Sequence, residues 1–164
     1  MTIIEDTRQQ ADKHKLKHKY FADNHIKVVR SKLPVGDYAN IKNMSVIVDT
    51  KKDIQEIISN VTSGHRRFTA ECDLAAQSDI QLIILIENTD NITKINDLYK
   101  WYNNRLKWSP KATTGRTLAK ILTGIEYRHG VKFEFCKPSD AGKRIIELLG
   151  GEINADIKRF CEDT

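Results

Sequence analysis

Apolar positions recur along this chain with two different periods, and the switches between them predict most of its elements. Short runs mark strands: "TIIED" near the start, "IKVVRSKL" with loose alternation, "SVIVD", and "LIILIE", apolar almost throughout like a central strand covered on both faces. "VKFEFC" alternates strictly. Between the strands the spacing becomes helical. Ile54, Ile57, Ile58 and Val61 fall at i, i+3, i+4 and i+7, "RRFTAECDLAAQ" predicts a second helix, and Leu118, Ile121, Leu122 and Ile125 share one face of a third that Gly130 stops. "QQADKHKLKHKYFADN" predicts a helix with Leu16, Tyr20 and Phe21 facing inward, and "SDAGKRIIELLGG" one that starts at Ser139 and ends at Gly150 and Gly151. Pro34 and Gly36 predict a turn. Strands alternating with helices imply an α/β domain, a central sheet with helices on both sides.

A length of 164 residues suits a single domain over residues 1–164, and 40% hydrophobic with 30% charged residues excludes a disordered or low-complexity chain. No apolar run approaches the roughly 20 residues of a membrane span, and "MTIIEDTRQQ" lacks the layout of a secretory signal, so a cytoplasmic protein is expected. Cys72, Cys136 and Cys161 are far apart and form no CxxC pair, which predicts reduced thiols and no zinc knuckle.

Charge adds a direction. The net charge is +5, yet eight Lys or Arg lie between Arg8 and Lys32 against Asp12 and Asp23, and six lie between Lys100 and Lys120 with no acid among them. Such clustering suits a polyanion, nucleic acid most simply, although a solvated helix face has the same composition. Within the second cluster Trp101, Tyr102 and Trp108 are interleaved with Lys100, Arg105, Lys107 and Lys111. Aromatic rings among cations suit stacked bases and tracked phosphates; packing on the core or on a second subunit is the other fate of such tryptophans.

The chemistry lies where "SVIV" leaves the core. Alternation sends Asp49 and Lys51 to one face of that strand and Thr50 to the other. Asp37, after Gly36, is placed to reach the end of the neighbouring strand. Two carboxylates beside one lysine suit Mg²⁺-dependent phosphodiester cleavage, with the Thr50 carbonyl as a third oxygen. Taken singly, Asp37 also suits a turn and Asp49 a helix cap.

Asp37, Asp49, Thr50 and Lys51 form D-x(n)-(D/E)-x-K. With "IIEDTRQQ", "LPVGDY", "VIVDTKKDIQEI", "LIILIE" and "YRHGVKFEFC" in order from about Ile3 to Gly150, the chain resembles the XPF nuclease family of the PD-(D/E)xK superfamily. The resemblance implies a restriction-endonuclease-like fold with a mixed central sheet and a Mg²⁺-dependent DNA endonuclease, with Mn²⁺ able to substitute. Its substrates would be branched, flap or four-way DNA. Matched by position, Asp37 and Asp49 are the implied metal ligands with the Thr50 carbonyl, Lys51 is the catalytic lysine, and Asp6 is an auxiliary metal-site carboxylate with Arg8 near the phosphate. Gln9 stands where the family usually has Glu, Asp49 where it has Glu, and Thr50 where it has Arg.

DNA contacts are expected from Arg67, Lys100, Arg105, Lys107, Trp108, Lys111 and Arg116. Arg67 and Glu71, four apart on a helix, read as a positioning pair, and Glu87 as a cap or salt-bridge partner. His14 and His18 have zinc-pair spacing but lie among lysines without the Glu of H-E-x-x-H, and "TTGRT" lacks P-loop spacing, so neither zinc nor a nucleotide cofactor is expected. The resemblance adds a homodimer, and the small stand-alone form suits a phage or mobile element. A catalytically idle subunit that keeps the fold and binds DNA or a partner is the competing reading, and the intact Asp37, Asp49 and Lys51 stand against it.

Overall fold

Six strands carry the site, and their order explains how distant residues meet. The computed structural model describes residues 1–150. The strands are β1 (Thr2–Glu5), β2 (Lys27–Arg30), β3 (Tyr38–Asn40), β4 (Asn43–Lys51), β5 (Gln81–Glu87) and β6 (Lys132–Cys136), in one sheet of order β2-β1-β3-β4-β5-β6. β3 runs antiparallel to both β1 and β4, whereas β1/β2, β4/β5 and β5/β6 are parallel, so the sheet is mixed. No sequence pattern predicts β3: at three residues it is too short to carry a period, and pairing on both sides creates it.

Helices cover both faces. The helices α2 (Ile54–Val61), α3 (His65–Gln77) and α4 (Gly115–His129) pack Ile57, Phe68, Cys72, Leu118 and Leu122 with Ile47, Ile84 and Ile86. On the other face α1 (Lys15–Asp23) and α5 (Ala141–Leu148) pack Phe21, Ile145 and Ile146 with Ile3, Tyr38, Val48 and Leu85. Ile84 and Leu85 are both inaccessible to solvent, as expected of a strand buried on two sides. Each such side chain contributes about 1.5–3 kcal/mol through apolar area removed from water.

Two local expectations are corrected. Leu16 is 59% exposed, and Lys17 takes the inward position on α1, because Glu87 at the end of β5 offers the ammonium a buried partner. Ser139 does not cap α5: a 3-10 turn, Pro138–Asp140, leads into the helix, and Asp140 stands at its start without a capping bond. Gly150 ends the described chain with a φ of 75°, while Gly151 and Cys161 lie outside the described residues. Cys72 is buried and Cys136 half-buried, both as free thiols. No described helix is long and apolar enough to cross a membrane.

Candidate active site

The site is built where β3 begins and β4 runs on past it. The amide of Asp37 donates to the Val48 carbonyl at 2.9 Å and the Asp6 amide to the Asp37 carbonyl at 2.8 Å, which ties three strands together at this residue. Gly36 makes the approach feasible: its φ is +65°, and a Cβ there would lie 2.7 Å from Ile47 Cγ2. Past Val48, β4 has no β3 neighbour, and the Asp37 side chain takes its place. Asp37 Oδ2 accepts from the Thr50 amide and the Thr50 hydroxyl, each at 2.7 Å. Because N–H and C=O of one residue in an extended strand point to the same side, the Thr50 carbonyl also faces away from β5, toward Asp37.

Asp49 and Lys51 point to the other face of β4, on the side of α3. Lys51 Nζ lies 2.7 Å from Asp49 Oδ2, with both side chains nearly buried. Asp49 is free for this because Asp53, not Asp49, caps α2, accepting from the Glu56 amide at 2.8 Å. Burial pushes the Asp49 carboxyl well above the usual carboxylate range; Lys51 acts against that shift, while Asp37 and Glu71 add to it. Burial also works against the Lys51 ammonium, but Asp49 outweighs it and the lysine stays charged. Besides Lys51 Nζ, Asp49 Oδ2 has no polar partner among the described residues. A buried anion that is electrostatically short of positive charge fits a divalent cation.

Glu71 completes the cleft. It accepts from the Gly36 amide at 3.1 Å through Oε1, so α3 is fastened to the turn that carries Asp37. No Arg67–Glu71 ion pair forms; Arg67 instead lines the same cleft of about 440 Å³ with Asp6, Arg8, Asp37, Asp49 and Lys51. The spacing of Arg67 and Glu71 hinted at a pair on one helix face, but nothing in it pointed across the molecule to Gly36. Among the described residues no three His, Cys, Asp or Glu side chains converge enough to hold an ion by themselves. Two carboxylates and a carbonyl, Asp37, Asp49 and Thr50, are hard oxygen donors of the kind that would hold a divalent cation.

Asp6 is differently placed. Its Oδ1 accepts from Arg8 N at 2.8 Å and Arg8 Nε at 2.7 Å, and its Oδ2 from the Leu33 amide at 2.7 Å and Arg8 Nη2 at 3.1 Å. Burial opposes the charged carboxylate, yet these bonds from Arg8 and Leu33 hold its pKa below the ordinary value. The Arg8 side chain remains 59% exposed at the mouth of the cleft. Beneath the same strand ends, Glu5 is buried and meets His18 Nε2 at 2.6 Å, Arg30 Nη1 at 3.0 Å and the Tyr38 hydroxyl at 3.1 Å. His18 is thus a hydrogen-bond partner of Glu5. Glu87 pairs with Lys17 on the sheet face opposite Asp49.

The basic aromatic segment divides. Trp101 packs against the core and donates Nε1 to Asp90 Oδ2 at 2.9 Å, whereas Trp108 is 77% exposed. Buried Asn103 anchors the segment, donating to the Thr113 carbonyl and accepting from the Arg105 amide and Gln55 Nε2. Arg105 reaches the ends of β4 and β5; Lys100 lines a separate hollow with Trp101 and Tyr102; Lys107, Lys111 and Arg116 are exposed.

Comparisons with known proteins agree with this fold. Two solved structures of XPF from Aeropyrum pernix, the second in complex with DNA, superpose with TM-scores of 0.67 and 0.64 at 15% identity, covering 98% and 99% of this chain and 70% and 67% of theirs. At that identity the likeness establishes the fold. No curated protein matches the sequence. The model of the ERCC4 domain matches residues 5–149, nearly the whole chain, with the acid-acid-lysine cleft inside it. The chain therefore belongs to the ERCC4 domain family, a family of DNA nucleases.

Proposed function

We propose that this protein is a Mg²⁺-dependent endonuclease that cuts branched DNA, with Asp37, Asp49 and the Thr50 carbonyl as metal ligands. The observation that carries the reading is the buried Asp49–Lys51 pair, whose acid has Lys51 as its one polar partner at Oδ2 among the described residues, opening into a cleft opposite Asp37. Mg²⁺, or Mn²⁺ in its place, supplies Lewis-acid activation of the phosphate and of the attacking water. Lys51 holds its proton and places positive charge beside the phosphate, where charge builds during attack. Arg8 and Arg67, exposed at the mouth, hold the neighbouring phosphate oxygens. Asp6, with both oxygens taken, acts by fixing Arg8 and Leu33. Lys100, Arg105, Lys107, Lys111 and Arg116 contact phosphates, and Trp108 stacks on an unpaired base.

The family match, the DNA complex of a protein with the same fold and the excess of cations support DNA as substrate. The test is incubation with labelled duplex, flap, fork and four-way DNA at matched salt, with Mg²⁺, Mn²⁺ or EDTA. Cleavage of branched over plain DNA, abolished by EDTA, is the expected result. Binding without cleavage under every metal would make the chain an idle DNA-binding subunit instead. Sedimentation of the same preparation, with and without DNA, tests the homodimer that the resemblance implies.

A further inference from the structure

A second trough, of about 770 Å³, runs beside the cleft and meets it at Arg8 and Gln9, which line both. Its floor includes Thr50 and Glu87, the ends of β4 and β5. Five cations line it, Arg8, Lys13, Lys17, Lys52 and Arg105, against three carboxylates. Each carboxylate has a partner within the protein, Asp53 and Glu56 keeping their charge and Glu87 paired with a cation, so the trough stays cationic on balance. Asp53 accepts from the Glu56 amide and Glu56 from the Lys52 amide, each at 2.8 Å, and Glu87 pairs with buried Lys17. Arg8 is held by Asp6. Lys13, Lys52 and Arg105 are exposed and have no ion-pair partner among the described residues.

These three cations come from three separate elements: the turn before α1, the link from β4 to α2, and the 3-10 turn Asn104–Lys107. A solvated helix face would not bring them to one trough. The walls are also fixed in place, α1 by Lys17–Glu87 and His18–Glu5, and the Asn103 segment by its 2.8 Å bond from Gln55 on α2. Unpaired cations on rigid walls, continuous with the acid-acid-lysine cleft, are the electrostatic footprint of a nucleic-acid backbone.

We propose that this groove carries the DNA strand on one side of the phosphate held in the cleft, with Lys13, Lys52 and Arg105 as its phosphate contacts. The assignment rests on the nuclease reading of the cleft and extends it to Lys13 and Lys52, which no motif marks. The double variant Lys13→Ala/Lys52→Ala tests it, by fluorescence anisotropy with labelled single-stranded and duplex oligonucleotides across a salt series in EDTA. The slope of log K against log salt should become shallower by about 1.4 on single strands or about 1.8 on duplex, because two phosphates are no longer neutralised by the protein. Lys13→Arg/Lys52→Arg should restore it. Lys137→Ala/Lys143→Ala, in a hollow beyond β6, should leave it unchanged. An unaltered slope in the groove variant, or an equal loss in that control, overturns the proposal. Cleavage by the unaltered protein in Mg²⁺ is scored separately. Cleavage with an unaltered slope removes the groove and keeps the nuclease; a shallower slope without cleavage keeps the groove as a DNA tract and removes the nuclease.

Discussion

The cleft at the end of β4 and the basic segment from Lys100 to Arg116 are assembled in opposite ways. In the cleft, Asp49 is 5% exposed and its position follows from strand register, opposite Ile84 of β5. In the segment, Trp108 is 77% exposed, and only a few anchors, Asn103, Trp101 and the contact at Gly115, tie short turns to the core. Chemistry needs charges held without solvent, where each is strongly felt; a binding surface needs charges left in solvent on a fixed base. Substitutions in the two regions should therefore separate catalysis, stability and affinity.

The largest effect is expected in the cleft. Asp49→Ala, Asp37→Ala and Lys51→Ala should each lower the single-turnover cleavage rate more than about a hundredfold, the scale of losing one fixed charge from a preorganised site. DNA affinity in EDTA should stay within a few-fold. A variant that cuts at near the unaltered rate would remove its residue from the site.

Next in size is the anchor of the segment. A Cβ on Gly115 would lie 2.1 Å from the Leu98 carbonyl oxygen and 2.6 Å from that of Trp101, both backbone atoms with little room to yield. Gly115→Ala should cost about 1–3 kcal/mol of stability and weaken DNA binding with it, measured by thermal melting and anisotropy on one preparation. Full affinity at a lowered melting temperature would detach the segment from DNA.

Asp6 tests whether a saturated carboxylate belongs to the frame of the cleft. Its pKa is depressed in the folded protein, so the stability it contributes is present above the ordinary Asp value and lost as pH falls through the folded value. Asp6→Ala should cost about 1–3 kcal/mol near pH 7 by leaving the Leu33 amide and Arg8 without their acceptor. The part of that difference owed to the carboxylate charge should shrink below about pH 4, as denaturant melts at several pH values would show. A difference independent of pH would mean that the charge is immaterial.

The smallest stability effect belongs to Trp108. Trp108→Ala should change stability by no more than about 0.5 kcal/mol, while affinity for DNA with unpaired bases falls by about 1–3 kcal/mol and affinity for plain duplex by much less. A clear drop in melting temperature would show that the ring packs on something, a second copy included.

Much of this was legible in one dimension, for reasons that differ by residue. Ile54 to Val61 and "LIILIE" declared a helix and a central strand because burial on one or two faces imposes a period on the residues themselves. Asp49 and Lys51 shared a face by the same arithmetic, and the ordered motifs around them pointed to the family that the ERCC4 domain match shows. Tertiary structure decided whatever depended on partners distant in sequence. It paired Lys17 with Glu87, packed one tryptophan half-buried on the core and exposed the other, gave Asp37 the Thr50 amide, and brought Glu71 across to Gly36. It also gathered Lys13, Lys52 and Arg105 into one groove from three elements. Periodicity records only which side of an element faces the core; which charge meets which is set by the packing of whole elements, and no local pattern carries that information.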